Sequence, residues 1–136
     1  MLPIVAVAAL AAAGCTTQTS SDDSSGKFRG DQRLVANTVE DFETAAAKGD
    51  QDQICRELLA KPLIAEYAKR GGTCEHAVDG ALKDSDSFGL TVESVRIADG
   101  QATARVKADR GKKDVFRNVT LVKEGTGWRI SAFGAG

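Results

Sequence analysis

Apolar side chains recur at helical spacing from residue 31 onward and begin to alternate after residue 87, so the chain divides into a helical half and a stranded half. Leu34, Val35, Val39, Phe42 and Ala46 form one stripe at steps of three and four, with Glu40, Asp41 and Glu43 off it; this predicts a helix over about 31–48. Gly49 is placed to end it, and Asp50 to cap a second helix with Gln53 three residues on. That helix carries Ile54, Cys55, Leu58 and Leu59 and stops near Lys61-Pro62. Pro62 suits the first turn of a short third helix bearing Leu63, Ile64 and Tyr67. Gly71-Gly72 interrupts the chain again, and Thr73 can cap a fourth helix on which Cys74, Val78, Ala81 and Leu82 share a face.

In the stranded half Leu90 and Val92 alternate, and Val95 and Ile97 alternate in the opposite phase, which predicts a bulge near Glu93-Ser94. Asp99-Gly100 is a two-residue hairpin signal. The next strand, about 101–109, turns Ala102, Ala104, Val106 and Ala108 to one side and Thr103, Arg105 and Lys107 to the other. A basic turn over Arg110 to Lys113, a strand over 114–123, a turn over Glu124 to Gly127 and a final strand over 128–133 complete the pattern. Helices followed by an antiparallel meander give an α+β fold, with the helices packed on one face of a sheet of about four strands.

The first fourteen residues, MLPIVAVAALAAAG, carry no charge and stop at Cys15. A dozen apolar residues fall short of the ~20 that a membrane span needs and fit the core of an export signal. Leu10-Ala11-Ala12-Ala13-Gly14-Cys15 resembles the end of a bacterial lipoprotein signal, although no Lys or Arg precedes the apolar run. The resemblance implies a diacylglycerol thioether on Cys15, which becomes the mature N-terminus, commonly with a further acyl chain such as palmitate. Thr16 to Gly30 is rich in Ser, Thr, Asp and Gly and reads as a tether. The expected organisation is therefore a signal peptide over 1–14, a lipidated cysteine and tether over 15–30, and a folded domain over 31–136. Export to an oxidising compartment leaves Cys55 and Cys74 as an even pair that favours a disulfide; two buried thiols, or half a metal site, are the other readings. A metal site is short of ligands, with His76 the lone histidine and no C-x-x-C.

A long helix ending in Ala-Ala-Lys-Gly-Asp, short helices, and a meander closing on Leu-Val-Lys-Glu-Gly-Thr-Gly-Trp-Arg-Ile resemble the nuclear transport factor 2-like superfamily, and more narrowly its small lipoproteins in actinobacteria and other bacteria. The likeness spans roughly Leu34 to Phe133 and rests on the Lys-Gly-Asp break at 48–50 and the Gly-Trp-Arg-Ile strand at 127–130. It implies a cystatin-like cone in which a curved sheet wraps the first helix and leaves a cavity at the open end. Members of that superfamily include isomerases, dehydratases, ligand binders and interaction modules, so the fold does not fix the activity.

Charge changes this picture little. Eighteen Lys and Arg against nineteen Asp and Glu give a net charge of −1, and nothing marks a nucleic-acid binder. Chemistry-bearing groups are sparse. His76 falls on the side of its helix opposite Cys74 and Val78, facing water. The acids have structural explanations: Glu40, Asp41 and Glu43 on the polar side of the first helix, Asp50 and Asp52 at a helix start, Asp109 and Asp114 beside a turn. Asp84-x-Asp86 opens like a calcium loop, but Phe88 and Val95 stand where ligands belong. Asn118-Val119-Thr120 matches a glycosylation sequon in mid-strand. The small Ala102/Ala104/Val106/Ala108 row either leaves room for a ligand or lets the first helix approach closely, and Lys107, Arg110, Lys112, Lys113 and Arg117 gather positive charge at one hairpin. The expectation is a lipid-anchored, non-enzymatic binding or interaction module on the outer face of the cell membrane. It needs no cofactor, and an envelope protein or a small apolar molecule is its partner. The alternative is a small-molecule binder or an isomerase- or dehydratase-like enzyme that uses the cone.

Overall fold

A computed structural model of the chain describes residues 27–84, 89–110 and 113–135; the leader, Cys15 and most of the expected tether lie outside these, as do Phe88 and the middle of the basic turn. Helix α1, Asp31–Lys48, has the predicted bounds. Gly49 adopts the left-handed conformation at φ 68° that a helix end requires, and the N–H groups of Gly49 and Asp50 donate to the carbonyls of Ala46 and Ala45. The Asp50 carboxylate then accepts from the Gln53 N–H at 3.1 Å and starts α2, Gln51–Gln53.

Helix α2 widens into a π-helical segment, Ile54–Leu58, closed by the Leu59 N–H on the Ile54 carbonyl five residues back at 3.0 Å. Here the expected second helix is corrected. Leu59 is not helical; its backbone is extended, it pairs in parallel with Ile130, and the Ala60 N–H donates to the Ile130 carbonyl at 2.7 Å. Both Leu59 and Ala60 are buried, so their backbone groups need partners, and the rim of the sheet supplies them. Helix α3, Lys61–Gly71, has Pro62 in its first turn, and α4, Cys74–Lys83, is capped by Thr73, whose hydroxyl accepts from the His76 N–H at 3.1 Å.

Strands β1 (Leu90–Ala98), β2 (Gln101–Arg110), β3 (Lys113–Glu124) and β4 (Gly127–Ala135) form one antiparallel sheet in that order. The predicted bulge is present: Val92 faces Val106 and Ser94 faces Arg105, which leaves Glu93 as the extra residue. At the β1–β2 turn Asp99 and Gly100 both have positive φ, 53° and 73°, as a turn of that twist demands. A second register shift, not anticipated from the alternation, sets Thr120 against Ala132 but Leu121 against Ile130, so that Ser131 is supernumerary; its hydroxyl donates to the Thr120 carbonyl.

The core lies between α1 and one face of the sheet. Ala102, Ala104 and Val106 of β2, Val92 of β1, Leu121 of β3 and Ile130 of β4 are buried there against Val35, Ala36 and Val39. The helix stripe is rotated from the expected one: Leu34 is 46% exposed, whereas Ala36 and Ala45 are wholly buried. Small residues on both surfaces allow the closer approach that this rotation uses. Helix α1 meets both outer strands. Gln32 donates to the Val95 carbonyl of β1 at 3.1 Å, Thr38 to the Trp128 carbonyl of β4 at 3.3 Å, and the Phe42 and Phe133 rings lie 5.1 Å apart. Phe28, just ahead of α1, also packs against this core.

Candidate functional site

Three places hold the groups singled out above. At the first, Cys55 in the π-helical segment and Cys74 in the first turn of α4 form a disulfide, with Cα atoms 6.1 Å apart and both residues buried. Widening the helix at residues 54–58 and capping α4 at Thr73 are the local events that bring them together. Of the two cysteines with other readings open, neither is a free thiol or a metal ligand. No group of three or more His, Cys, Asp or Glu side chains among the described residues is arranged to hold a metal ion.

The second place is an open, polar depression at the α1–α2 junction, lined by Lys48, Gly49, Asp50, Gln51, Asp52 and Glu75. Three of its side chains are engaged with neighbours. Asp50 caps α2, Asp52 pairs with Arg56 at 3.0 Å, and the Gln51 amide donates to Asp79 at 2.9 Å. Asp79 in turn hydrogen-bonds the Lys83 ammonium at 2.8 Å, which holds this carboxyl below its usual range and raises Lys83. His76 is exposed, as its helical position implies, with only its backbone N–H tied to Thr73.

The third place is the end of the helix-covered sheet face where α1 finishes. Phe42 and Phe133 pack together there, Phe133 45% exposed, with Leu90 half-buried beside the helix. Glu43, expected on the polar side of α1, is instead half-buried: burial pushes its carboxyl up, and a hydrogen bond from the Leu90 backbone pulls it partly back. On the same helix burial, and then the nearby Glu57 carboxylate, raise Asp41. The sequence signal for Glu43 was its place next to Phe42 at the margin of the stripe, and alternation along the last strand gave no sign that Phe133 would meet that helix. Tyr67 sits half-buried on α3, and burial above all raises its phenol. His76 is exposed on α4, and Glu57 is the acid whose charge acts on Asp41.

Comparison with known proteins adds no identity: no family profile, no curated protein and no solved structure matches this chain. No helix among the described residues is long and apolar enough to cross a membrane.

Proposed function

We propose that the chain is a lipid-anchored lipoprotein of the extracytoplasmic face of a bacterial cell membrane, held by acyl chains on Cys15, and that its α+β domain works as a non-enzymatic binding or interaction module. The observation that carries this reading is the Cys55–Cys74 bridge. Disulfides persist in oxidising compartments, and the apolar run that stops at Gly14-Cys15 supplies a route to one. Two or more acyl chains anchor stably where one is marginal, since each buried CH₂ contributes ~0.8 kcal/mol. The contacts of α1 with both outer strands support a nuclear transport factor 2-like cone in which the sheet bends around that helix.

A second reading rests on the Phe42–Phe133 pair. These part-exposed rings, with the Glu43 carboxyl one residue away, form an apolar surface with one polar group, a combination suited to a small apolar ligand or to an isomerase- or dehydratase-like activity.

Expression in a bacterial host, membrane fractionation and intact mass analysis test the proposal. The expected product lacks residues 1–14, carries acyl mass on Cys15 and sediments with membranes, and Cys15→Ser abolishes the acylation. A wild-type product with the leader attached and a bare Cys15 overturns the proposal. Native mass spectrometry of the same material decides between the readings, because a retained apolar molecule favours the second.

A further inference from the structure

Among the described residues the helices cover one face of the sheet and leave the other open. Register and exposure place Arg96 of β1, Arg105 and Lys107 of β2 and Phe116 of β3 together on it. Arg96 lies opposite Thr103, one diagonal step from Arg105, and Lys107 lies opposite Phe116. The Arg105 guanidinium sits 4.4 Å from the centre of the Phe116 ring, which remains 38% exposed. An aromatic ring exposed beside two cations, with a third on the next strand over, is amphipathic in the manner of interfacial surfaces. Among the described residues the neighbouring acids are Glu93 at the bulge on the outer strand and the register pair Asp109 and Asp114 at the hairpin end, beyond Lys107 and Phe116.

Charge is also divided between the two halves of the sequence. Residues 85–136 carry nine Lys and Arg against six Asp and Glu, whereas residues 27–84 carry nine against eleven, in a chain whose net charge is −1. Near an anionic bilayer Arg96, Arg105 and Lys107 draw the open sheet face toward the lipid, each Lys or Arg at the surface strengthening the attraction roughly fivefold. Twelve residue steps separate Cys15 from Lys27, so an anchor at Cys15 holds the start of the domain within about 43 Å of the lipid at most. A second copy is a poorer occupant, since a two-fold pairing of this face sets like cations against each other.

We infer that the open sheet face, through Arg96, Arg105, Lys107 and the exposed ring of Phe116, docks on anionic phospholipid headgroups and fixes the orientation of the domain on its own membrane. This rests on the lipid anchor at Cys15 proposed above, and its test separates the two.

The anchored chain is purified from membranes and the acyl mass on Cys15 is recorded first. A fluorophore is placed at Thr103→Cys on the sheet face or, in a second sample, at Ala65→Cys on α3, and each protein is reconstituted into phosphatidylcholine vesicles with or without phosphatidylglycerol. Quenching by headgroup-labelled lipid is the readout, and emission from the buried Trp128 confirms folding. The expected result is strong quenching at position 103 and weak quenching at 65 on anionic vesicles. Arg105→Glu with Lys107→Glu, or high salt, should lower the signal at 103 to the phosphatidylcholine level. Equal quenching at 103 with and without phosphatidylglycerol overturns the inference. Shielding that follows protein density rather than lipid charge also overturns it, by marking a second copy as the occupant. If Cys15 bears no acyl mass, the anchoring reading fails separately, and the same quenching contrast on chain mixed with anionic vesicles then decides the docking.

Discussion

At the scale of single residues, whether the space between α1 and the sheet is filled or hollow comes down to Ala104. It is wholly buried at mid-strand, paired with Val95 on one side and Val119 on the other. Close packing at that point leaves no room for added methylenes, so Ala104→Leu should lower stability by about 1–3 kcal/mol in urea unfolding; an unchanged midpoint would reveal open space above β2. Glu43 makes a different prediction. Burial raises its carboxyl, with the Leu90 hydrogen bond as a smaller opposing influence. The folded chain therefore holds this proton more tightly than the unfolded chain. Its contribution to stability is largest at acid pH and is lost as pH rises from the ordinary glutamate value through the raised one. Glu43→Gln removes that dependence and keeps an acceptor for the Leu90 N–H. Relative to the parent, the variant should gain stability as pH rises above the ordinary glutamate range, and parallel stability curves for the two proteins would contradict this.

Among the elements, the disulfide joins the π-helical segment to α4 across a separation of 19 residues. A loop of that size stabilises by roughly 3 kcal/mol when closed, so Cys55→Ala with Cys74→Ala should lose about that much, measured by urea unfolding against the oxidised parent. Thr73→Ala should cost about 0.5–2 kcal/mol through the loss of the cap on His76, with the helical circular dichroism of the folded state retained. The bounds of α1, the Glu93 bulge, the Asp99-Gly100 turn and both caps were legible because each is dictated within a few neighbouring residues. Leu59 was not. Its apolar character suits a helix equally well, and only the distant Ile130 decides that it is extended. Ser131 escaped for the same reason: a bulge between two strands with unbroken apolar runs shows in the pairing before it shows in either sequence. The cysteine pair was readable from its even number together with the expectation of export. The rotated stripe of α1 was not, because alanine marks a buried surface only when its partner surface is known.

Over the whole molecule, one core joins α1, the short helices and all four strands. Trp128 is its only tryptophan, 4% exposed, with its carbonyl accepting from Thr38 of α1. Loss of that surrounding should shift its emission to longer wavelength in step with the loss of far-ultraviolet circular dichroism. Transitions at different denaturant concentrations would mean that the helices and the sheet come apart separately.

The pairing of Leu59 and Ala60 with Ile130 has a consequence for crowded molecules. A bare outermost strand is a template on which neighbouring chains stack into fibrils. Here one flank is partly occupied by the chain's own backbone, and the opposite flank is broken by the extra residue at Glu93. Neither offers a long, straight row of vacant amides. Many copies can thus share a confined space without zipping together.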